Sequence, residues 1–393
     1  MEIREISFFK TFQCAGGNCS ETCCRGWIIP LEKEDVDRLK KERGWLGLRI
    51  FLATFGGLKE NFNSDSKYCP FFNEEGLCSM QLAKGHDFIP EACRSYPRYY
   101  RNHGYFEEQM IDLSCIEGAK LWFANCFDLS FRTYDGEPES GRYGSNEDEA
   151  FLRSLERVRS EMCDALLRVE TVEELNRLFW KIDAYGEAAQ KAFLNEENDH
   201  LRRHPFSAMP AEAAPDGGDS NDAPADRTGY AKSRFLPFDA EIFEKMMRTH
   251  LFSERLAVAN PTLYKLCNLY FDMERSTKDL HAHWRKLSAS FLERYARYVP
   301  YYAALYAYYL YQHFLNIYDD YSFRRNLRMG LIHLNMKFLF DVLLEAKTGT
   351  FTEDDFVRTT AVYNRRAYFN GTIRDEIYRV LETLTTQGSA VSE

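Results

Sequence analysis

Eleven cysteines punctuate this chain of 393 residues, and nine of them fall within its first 126 positions. Seven of the nine lie in short stretches broken by glycine and proline, and an eighth is Cys115. The first is Phe12-Gln13-Cys14-Ala15-Gly16-Gly17-Asn18-Cys19-Ser20-Glu21-Thr22-Cys23-Cys24-Arg25-Gly26-Trp27. The second is Cys69-Pro70-Phe71-Phe72-Asn73-Glu74-Glu75-Gly76-Leu77-Cys78-Ser79-Met80. The third is Pro90-Glu91-Ala92-Cys93-Arg94-Ser95-Tyr96-Pro97-Arg98, followed at a distance by Leu113-Ser114-Cys115. Thiolates are soft donors that select zinc, iron–sulfur clusters or copper(I). A close pair with glycine between or just after it lets a tight loop turn two sulfurs toward one centre, and Gly16, Gly17 and Gly26 supply that freedom. Cys23 and Cys24 are adjacent, so they need irregular backbone to point together, or else they serve two centres.

The candidate ligands are therefore Cys14, Cys19, Cys23, Cys24, Cys69, Cys78, Cys93 and Cys115. Eight exceeds the four that one zinc or one cubane cluster needs, so either two centres are present or some thiols are structural. Structural zinc sites show two close pairs, and the irregular gaps here fit that pattern poorly. The three-cysteine spacing of radical enzymes that use S-adenosylmethionine is also absent: Cys19 and Cys23 have its first gap, but position 26 is glycine. Spacing alone favours iron–sulfur over zinc. Arg25, Arg94 and Arg98 are placed to offset thiolate charge. His86 and His103 read as surface histidines rather than replacement ligands. Cys126, Cys163 and Cys267 sit singly in helical patterns and read as small core hydrophobes.

Composition sets the frame around these cysteines. Hydrophobic residues at 45% and charged residues at 28% are ordinary for a globular protein, which excludes disorder over the whole length. A formal net charge of -10 argues against general capture of nucleic acid or anionic membrane. No apolar run approaches the roughly 20 residues that span a bilayer. The opening Met1-Glu2-Ile3-Arg4-Glu5-Ile6 lacks the basic-then-apolar pattern of a secretory signal. A cytoplasmic protein without membrane insertion is the expectation, and in that reducing compartment clustered thiols bind metal or do redox chemistry rather than form disulfides.

The elements that must position the thiols read as mainly α. Residues 1–130 form an irregular cysteine-rich, metal-binding module packed on an α-helical C-terminal domain. Within the module, Leu31 to Ile50 reads as a helix broken near Gly44, and Ile116 to Phe127 as a short helix. A Gly, Glu and Ser-rich loop from Asp135 to Asp148 leads to a helical segment, 149–202. There Leu152, Leu155, Val158, Met162, Leu166 and Val169 mark one face, and Thr171 with Glu174 forms a capping box. Residues 203–234, rich in Ala, Pro, Gly and Asp, read as a disordered linker. Residues 235–385 are helical and aromatic. Tyr295, Tyr298, Tyr302, Tyr306 and Tyr309 share one helix face and Tyr301 and Tyr308 another, so that helix is expected to be core rather than a lysine channel.

The cysteine segments resemble the flagellin lysine N-methylase family and, more distantly, cysteine-rich domains described as zinc or iron chelators. The resemblance rests on Phe12 to Pro30, on Cys69-Pro70-Phe71 with Leu77-Cys78, on Cys93-Arg94-Ser95-Tyr96-Pro97-Arg98 and on Leu113-Ser114-Cys115. It covers the first 130 residues closely and the rest only by helical character and aromatic richness. It implies a [4Fe–4S] cluster held by ligands drawn from the eight cysteines, S-adenosylmethionine as methyl donor and flagellin as protein substrate. The chain departs from the family at Phe356-Val357-Arg358 through Tyr363-Asn364, where the family's Glu-His pair is missing. Tyr96-Pro97-Arg98 is expected to fix a turn that places Arg98 near the cluster. Ala15-Gly16-Gly17 lies between cysteines with no strand–loop–helix around it, which argues against a Rossmann-type methyltransferase. The competing reading is a non-enzymatic zinc- or iron-binding adaptor whose helical half binds a partner.

Overall fold

In chain order the strands are β1 (Glu2–Ile6), β2 (Ile29–Pro30), β3 (Asn61–Phe62), β4 (Arg98–Asn102), β5 (Phe106–Ile111) and β6 (Phe131–Asp135). Four of them form one sheet in the order β4-β5-β1-β6, in which β1 and β5 are parallel and the other pairs antiparallel. The first 130 residues are therefore less irregular than their sequence suggests. β2 and β3 make a separate antiparallel pair. The structure is a computed structural model that describes residues 1–26, 29–53, 61–62, 68–197, 199–210, 246–254, 256–367 and 379.

The longer helices are α1 (Lys33–Lys40), α2 (Gly44–Ala53), α3 (Ser79–Lys84), α4 (Glu91–Ser95), α5 (Ile116–Asn125), α6 (Glu149–Leu166), α7 (Val172–Leu194), α8 (Pro261–Ser276), α9 (Leu280–Arg294), α10 (Val299–His313), α11 (Phe323–Thr348) and α12 (Glu353–Ala367). With 64% helix against 9% strand, the mainly α expectation holds. The expected break near Gly44 is the boundary between α1 and α2, and Gly44 adopts a positive φ there. The capping box before α7 is formed: Thr171 and Glu174 each accept the other's backbone N–H. Of the expected linker, Phe206–Ala208 is a 3-10 turn with Phe206 buried, and residues 211–234 lie outside the described residues. None of the described helices is long and apolar enough to cross a membrane.

One large core joins the sheet to the helices. Ile6, Phe106, Met110 and Trp122 pack in the same cluster as the apolar faces of α6, α7, α10 and α11. A smaller core, built from Ile29, Leu31, Leu39, Ile50, Phe71, Met80 and Ile89, supports the second and third cysteine segments and includes Cys69. The central strand β5 is buried along its whole length although it carries Glu107, Glu108 and Gln109. Those groups are satisfied: Glu107 accepts from Ser140 and Glu139, and Glu108 pairs with Arg159. Burial pushes the Glu108 carboxyl up, but Arg159 and His103 outweigh it and hold it well below the usual carboxylate range. His103 is thus a core residue beside Glu108, not the surface histidine its sequence context suggests, whereas His86 is exposed.

Cys126, Cys163 and Cys267 are fully enclosed in the large core. Burial pushes the Cys126 and Cys267 thiols up to about 12 from an ordinary 9.0. A group whose folded pKa is raised contributes stability below the unfolded value and loses it as pH rises, here between 9 and 12. At pH 10 each thiol should cost about 1–2 kcal/mol. Denaturant unfolding of the reduced protein at pH 8 and pH 10 is the check. The double variant Cys126→Ala/Cys267→Ala should lose about 3 kcal/mol less than the parent between the two conditions.

Candidate metal centre

The first cysteine loop is shaped by its glycines. Gly16 adopts a positive φ and opens a 3-10 turn, Gly16–Asn18, that brings Cys14 and Cys19 to the two ends of one loop. The Gly16 N–H donates to Cys14 Sγ at 3.4 Å. A side chain at Gly17 would meet the Glu75 carbonyl oxygen at 2.8 Å, so this loop packs directly on the turn between Cys69 and Cys78. That turn is held by Asn73, which donates its N–H to the Leu77 carbonyl and accepts the Leu77 N–H on Oδ1. The two segments are also stitched at their ends, because Cys69 N–H donates to the Cys24 carbonyl at 2.7 Å.

Three helices set the remaining thiols. Cys78 and Cys115 are the N-cap residues of α3 and α5, both with extended backbone. Cys93 lies on the short helix α4, whose first N–H, from Glu91, is accepted by the buried Asp35 carboxylate. Cys14 is exposed, Cys69 buried and the other six half-buried.

Five of the predicted thiols, Cys19, Cys23, Cys69, Cys93 and Cys115, are raised above their ordinary value, and the other three, Cys14, Cys24 and Cys78, are among the neighbours that raise them. Burial raises Cys19, and negative charge on Cys23 and Cys14 would raise it further. Cys23 stands well above its ordinary value through its hydrogen bond with Cys24, its burial and the charge of Cys24. Cys69 is pushed up to about 11 by burial, with Cys78 and Cys23 adding to it. Burial raises Cys93, and Cys23, Cys69 and Cys78 act in the same direction. Cys115 is pushed up to about 12 by burial, with Cys23 and Cys19 contributing, although the Gly118 N–H opposes this. Cys23 stands at the hub. As bare thiols these groups resist ionisation, which is the condition a bound cation relieves.

The donor set suits a thiolate-bound group in kind. The sulfurs are not closed into a coordination shell: among the described residues no three His, Cys, Asp or Glu side chains are gathered tightly enough to hold an ion. The structure thus joins the cysteine loops by backbone contacts without selecting a set of four.

The arginines singled out by the sequence have partners other than the thiols. Arg25 donates to Glu21 and to the Tyr68 hydroxyl, Arg94 pairs with Glu91, and the Arg98 guanidinium lies over the Phe9 and Phe12 rings. The cation beside Cys19 and Cys23 is Arg365, from the last turn of α12. It donates to the carbonyls of Glu21 at 2.6 Å, Thr22 at 3.2 Å and Ser114 at 3.2 Å. An arginine near a helix C-terminus has an ordinary dipole role, so no local signal marked it. Nearby, burial pushes the Asp112 carboxyl up to about 6; its Oδ1 accepts the Ser114 N–H, and its Oδ2 finds no partner among the described residues.

The tyrosines of α10 are core. Tyr302, Tyr306, Tyr308 and Tyr309 are buried, as is Tyr298 in the 3-10 turn that separates α10 from Tyr295 at the end of α9, so the expected single helix is broken there; among the cations of this region is the chain's own buried Lys337. Its Nζ lies 3.1 Å from the Phe356 ring centroid and 5.0 Å from that of Tyr302, and it donates to Asp341.

A mainly helical protein with a small mixed sheet and a thiol-rich corner is what the fold defines. Relatives then place it. The chain is similar to the flagellar biosynthetic protein FliU of Salmonella muenchen, 28% identical over 123 residues, which are 29% of this chain and 73% of FliU. It is also similar to a Lysine-N-methylase of Salmonella typhimurium and to one of Salmonella choleraesuis. Each is 27% identical over 123 residues, 29% of this chain and 31% of the relative. The match thus spans about a third of the length of those two methylases. The resemblance to the flagellin lysine N-methylase family is carried by these relatives. No family model and no solved structure matches the chain.

Proposed function

We propose that this protein is a protein-lysine N-methyltransferase of the cytoplasm that uses S-adenosylmethionine and acts on flagellin. In this reading a [4Fe–4S] cluster is held by thiolates drawn from Cys14, Cys19, Cys23, Cys24, Cys69, Cys78, Cys93 and Cys115. The observation that carries it is the neighbourhood of Cys23, which includes Cys19, Cys24, Cys69, Cys93 and Cys115, in a chain related to lysine-N-methylases. When bound, such a cluster would supply an iron able to hold the amino and carboxylate groups of the methyl donor.

The chemistry asks for a neutral amine, because an ammonium has no lone pair. The lysine must therefore be brought below its ordinary pKa of about 10.4 by burial or by a base, and its proton passes to that base or to water. The nitrogen lone pair then forms the new N–C bond as the C–S bond of the sulfonium breaks. The bonding pair stays on sulfur, which leaves as a neutral thioether. Holding the two reactants in line supplies much of the rate gain. What this chain's own residues contribute is a fixed frame: Arg365 and the Gly17–Glu75 contact lock the loops against one another and against α12.

The test is transfer itself. Anaerobically purified full chain, incubated with flagellin and S-adenosylmethionine, should place methyl groups on flagellin lysines, read by peptide mass spectrometry. An unmodified flagellin, together with stoichiometric zinc in a colourless protein, would instead support the adaptor reading.

A further inference from the structure

We propose that Arg365 is the positioning residue of the thiol centre. From the last turn of α12 it fastens the two loops that carry Cys23 and Cys115 and sets a positive charge between them; the inference rests on reading the cysteines as a metal-binding group. The Arg365 guanidinium donates to the Glu21 and Thr22 carbonyls, immediately before Cys23, and to the Ser114 carbonyl, immediately before Cys115. Its Nε also points to Ser114 O, at 3.4 Å. A planar fork with five donors can bridge carbonyls of two separate loops at once, which a lysine ammonium on its flexible stem cannot do with the same geometry.

The charge of Arg365 is as informative as its donors. The side chain is buried, and the acidic oxygen paired with it, Glu21 Oε2, is 4.0 Å away. Glu21 is already engaged by Arg25 and by the Thr262 hydroxyl. A buried cation with so loosely held a counter-charge is costly unless something negative completes it. A group ligated by several thiolates of the Cys23 and Cys115 loops, whose backbone Arg365 holds, would supply that charge.

The platform beneath Arg365 is stiff. Along α12, Thr359 donates to Asp341, Tyr363 shares a hydrogen bond with His333, and Asn364 pairs with Tyr309. Asn260 donates to the Val362 carbonyl. The helical bundle thus dictates where the Cys23 and Cys115 loops sit, through a residue far from them in sequence.

The test compares the full chain with Arg365→Met and Arg365→Lys, each checked for folding by circular dichroism. Two readouts are used: amide hydrogen exchange across residues 19–24 and 112–116, and the thiolate-to-metal absorption band on titration with cobalt(II). Arg365→Met should lose protection in both segments and bind cobalt at least about tenfold more weakly. Arg365→Lys, which keeps the charge but not the fork, should recover part of the cobalt affinity and little of the protection. Unchanged protection and unchanged affinity in Arg365→Met would overturn the inference. If that variant does not fold, full protection in Arg365→Lys would overturn it. A parent chain with no thiolate–cobalt band would sink the metal reading instead, and loss of protection in Arg365→Met would then still support the positioning role.

Discussion

Replacing Cys23 by serine is expected to lower bound metal by more than about 100-fold, beyond what loss of an outer partner costs, and to abolish methyl transfer with it. The reason is position. Cys23 is the thiol whose charge is felt by Cys19, Cys69, Cys93 and Cys115, and it is hydrogen-bonded to Cys24. Cys14 stands at the opposite extreme, exposed at the edge of the loop and coupled to Cys19. Cys14→Ser should therefore keep most of its metal. Metal content and transfer rate measured anaerobically on both variants decide the matter, and equal losses at the two positions would contradict the ranking.

The second large effect lies in the helical bundle. Lys337 and Asp341 form an ion pair on α11 that is fully buried, with Tyr302 and Thr359 also donating to the carboxylate. Burial pushes the Lys337 ammonium down and the Asp341 carboxyl up, and each partner opposes the other's shift. Lys337→Met removes the one full positive charge that balances the carboxylate among the described residues, so unfolding should cost about 3–5 kcal/mol less. The penalty should be smaller at pH 5 than at pH 8. A buried Asp with a raised pKa loses stability as pH rises and is relieved when it takes up a proton. The double variant Lys337→Met/Asp341→Leu should recover most of the loss, short of what the Tyr302 hydroxyl gives up when its acceptor goes. Denaturant titrations of the three proteins at both pH values provide the measurement.

How far the sequence announced this molecule depends on the kind of signal. Helices with clean periodicity were legible, because one apolar stripe faces one core: Leu152, Leu155, Val158, Met162 and Leu166 are all buried. The Thr171 capping box was legible because it is local chemistry. The sheet was not. In β5 the residues Glu107, Glu108 and Gln109 break every strand pattern, and only tertiary partners such as Arg159 and Ser140 make their burial tolerable. The eight thiols could be picked out by type and spacing. Contacts between their loops, such as Gly17 against Glu75, join segments far apart in the chain and were not legible.

The arginines show the same limit more sharply. Arg25, Arg94 and Arg98 sit among the cysteines in sequence, yet each is spent on a nearer carboxylate, hydroxyl or ring. Arg365 reaches the thiols only because α12 packs against α5 through Val357 and Ala361 on one side and Ile116 and Ala119 on the other. Proximity in sequence was a poor guide to proximity in charge. The fold supplied the cation from its far end.

Iron, acid-labile sulfide and zinc, quantified together on the anaerobically purified full chain, put the whole reading at risk in one experiment. Thiolates converging on an iron–sulfur cube predict about four iron and four sulfide per chain with little zinc. A chain that carries none of the three, with all of its cysteines titrating as free thiols, would contradict it.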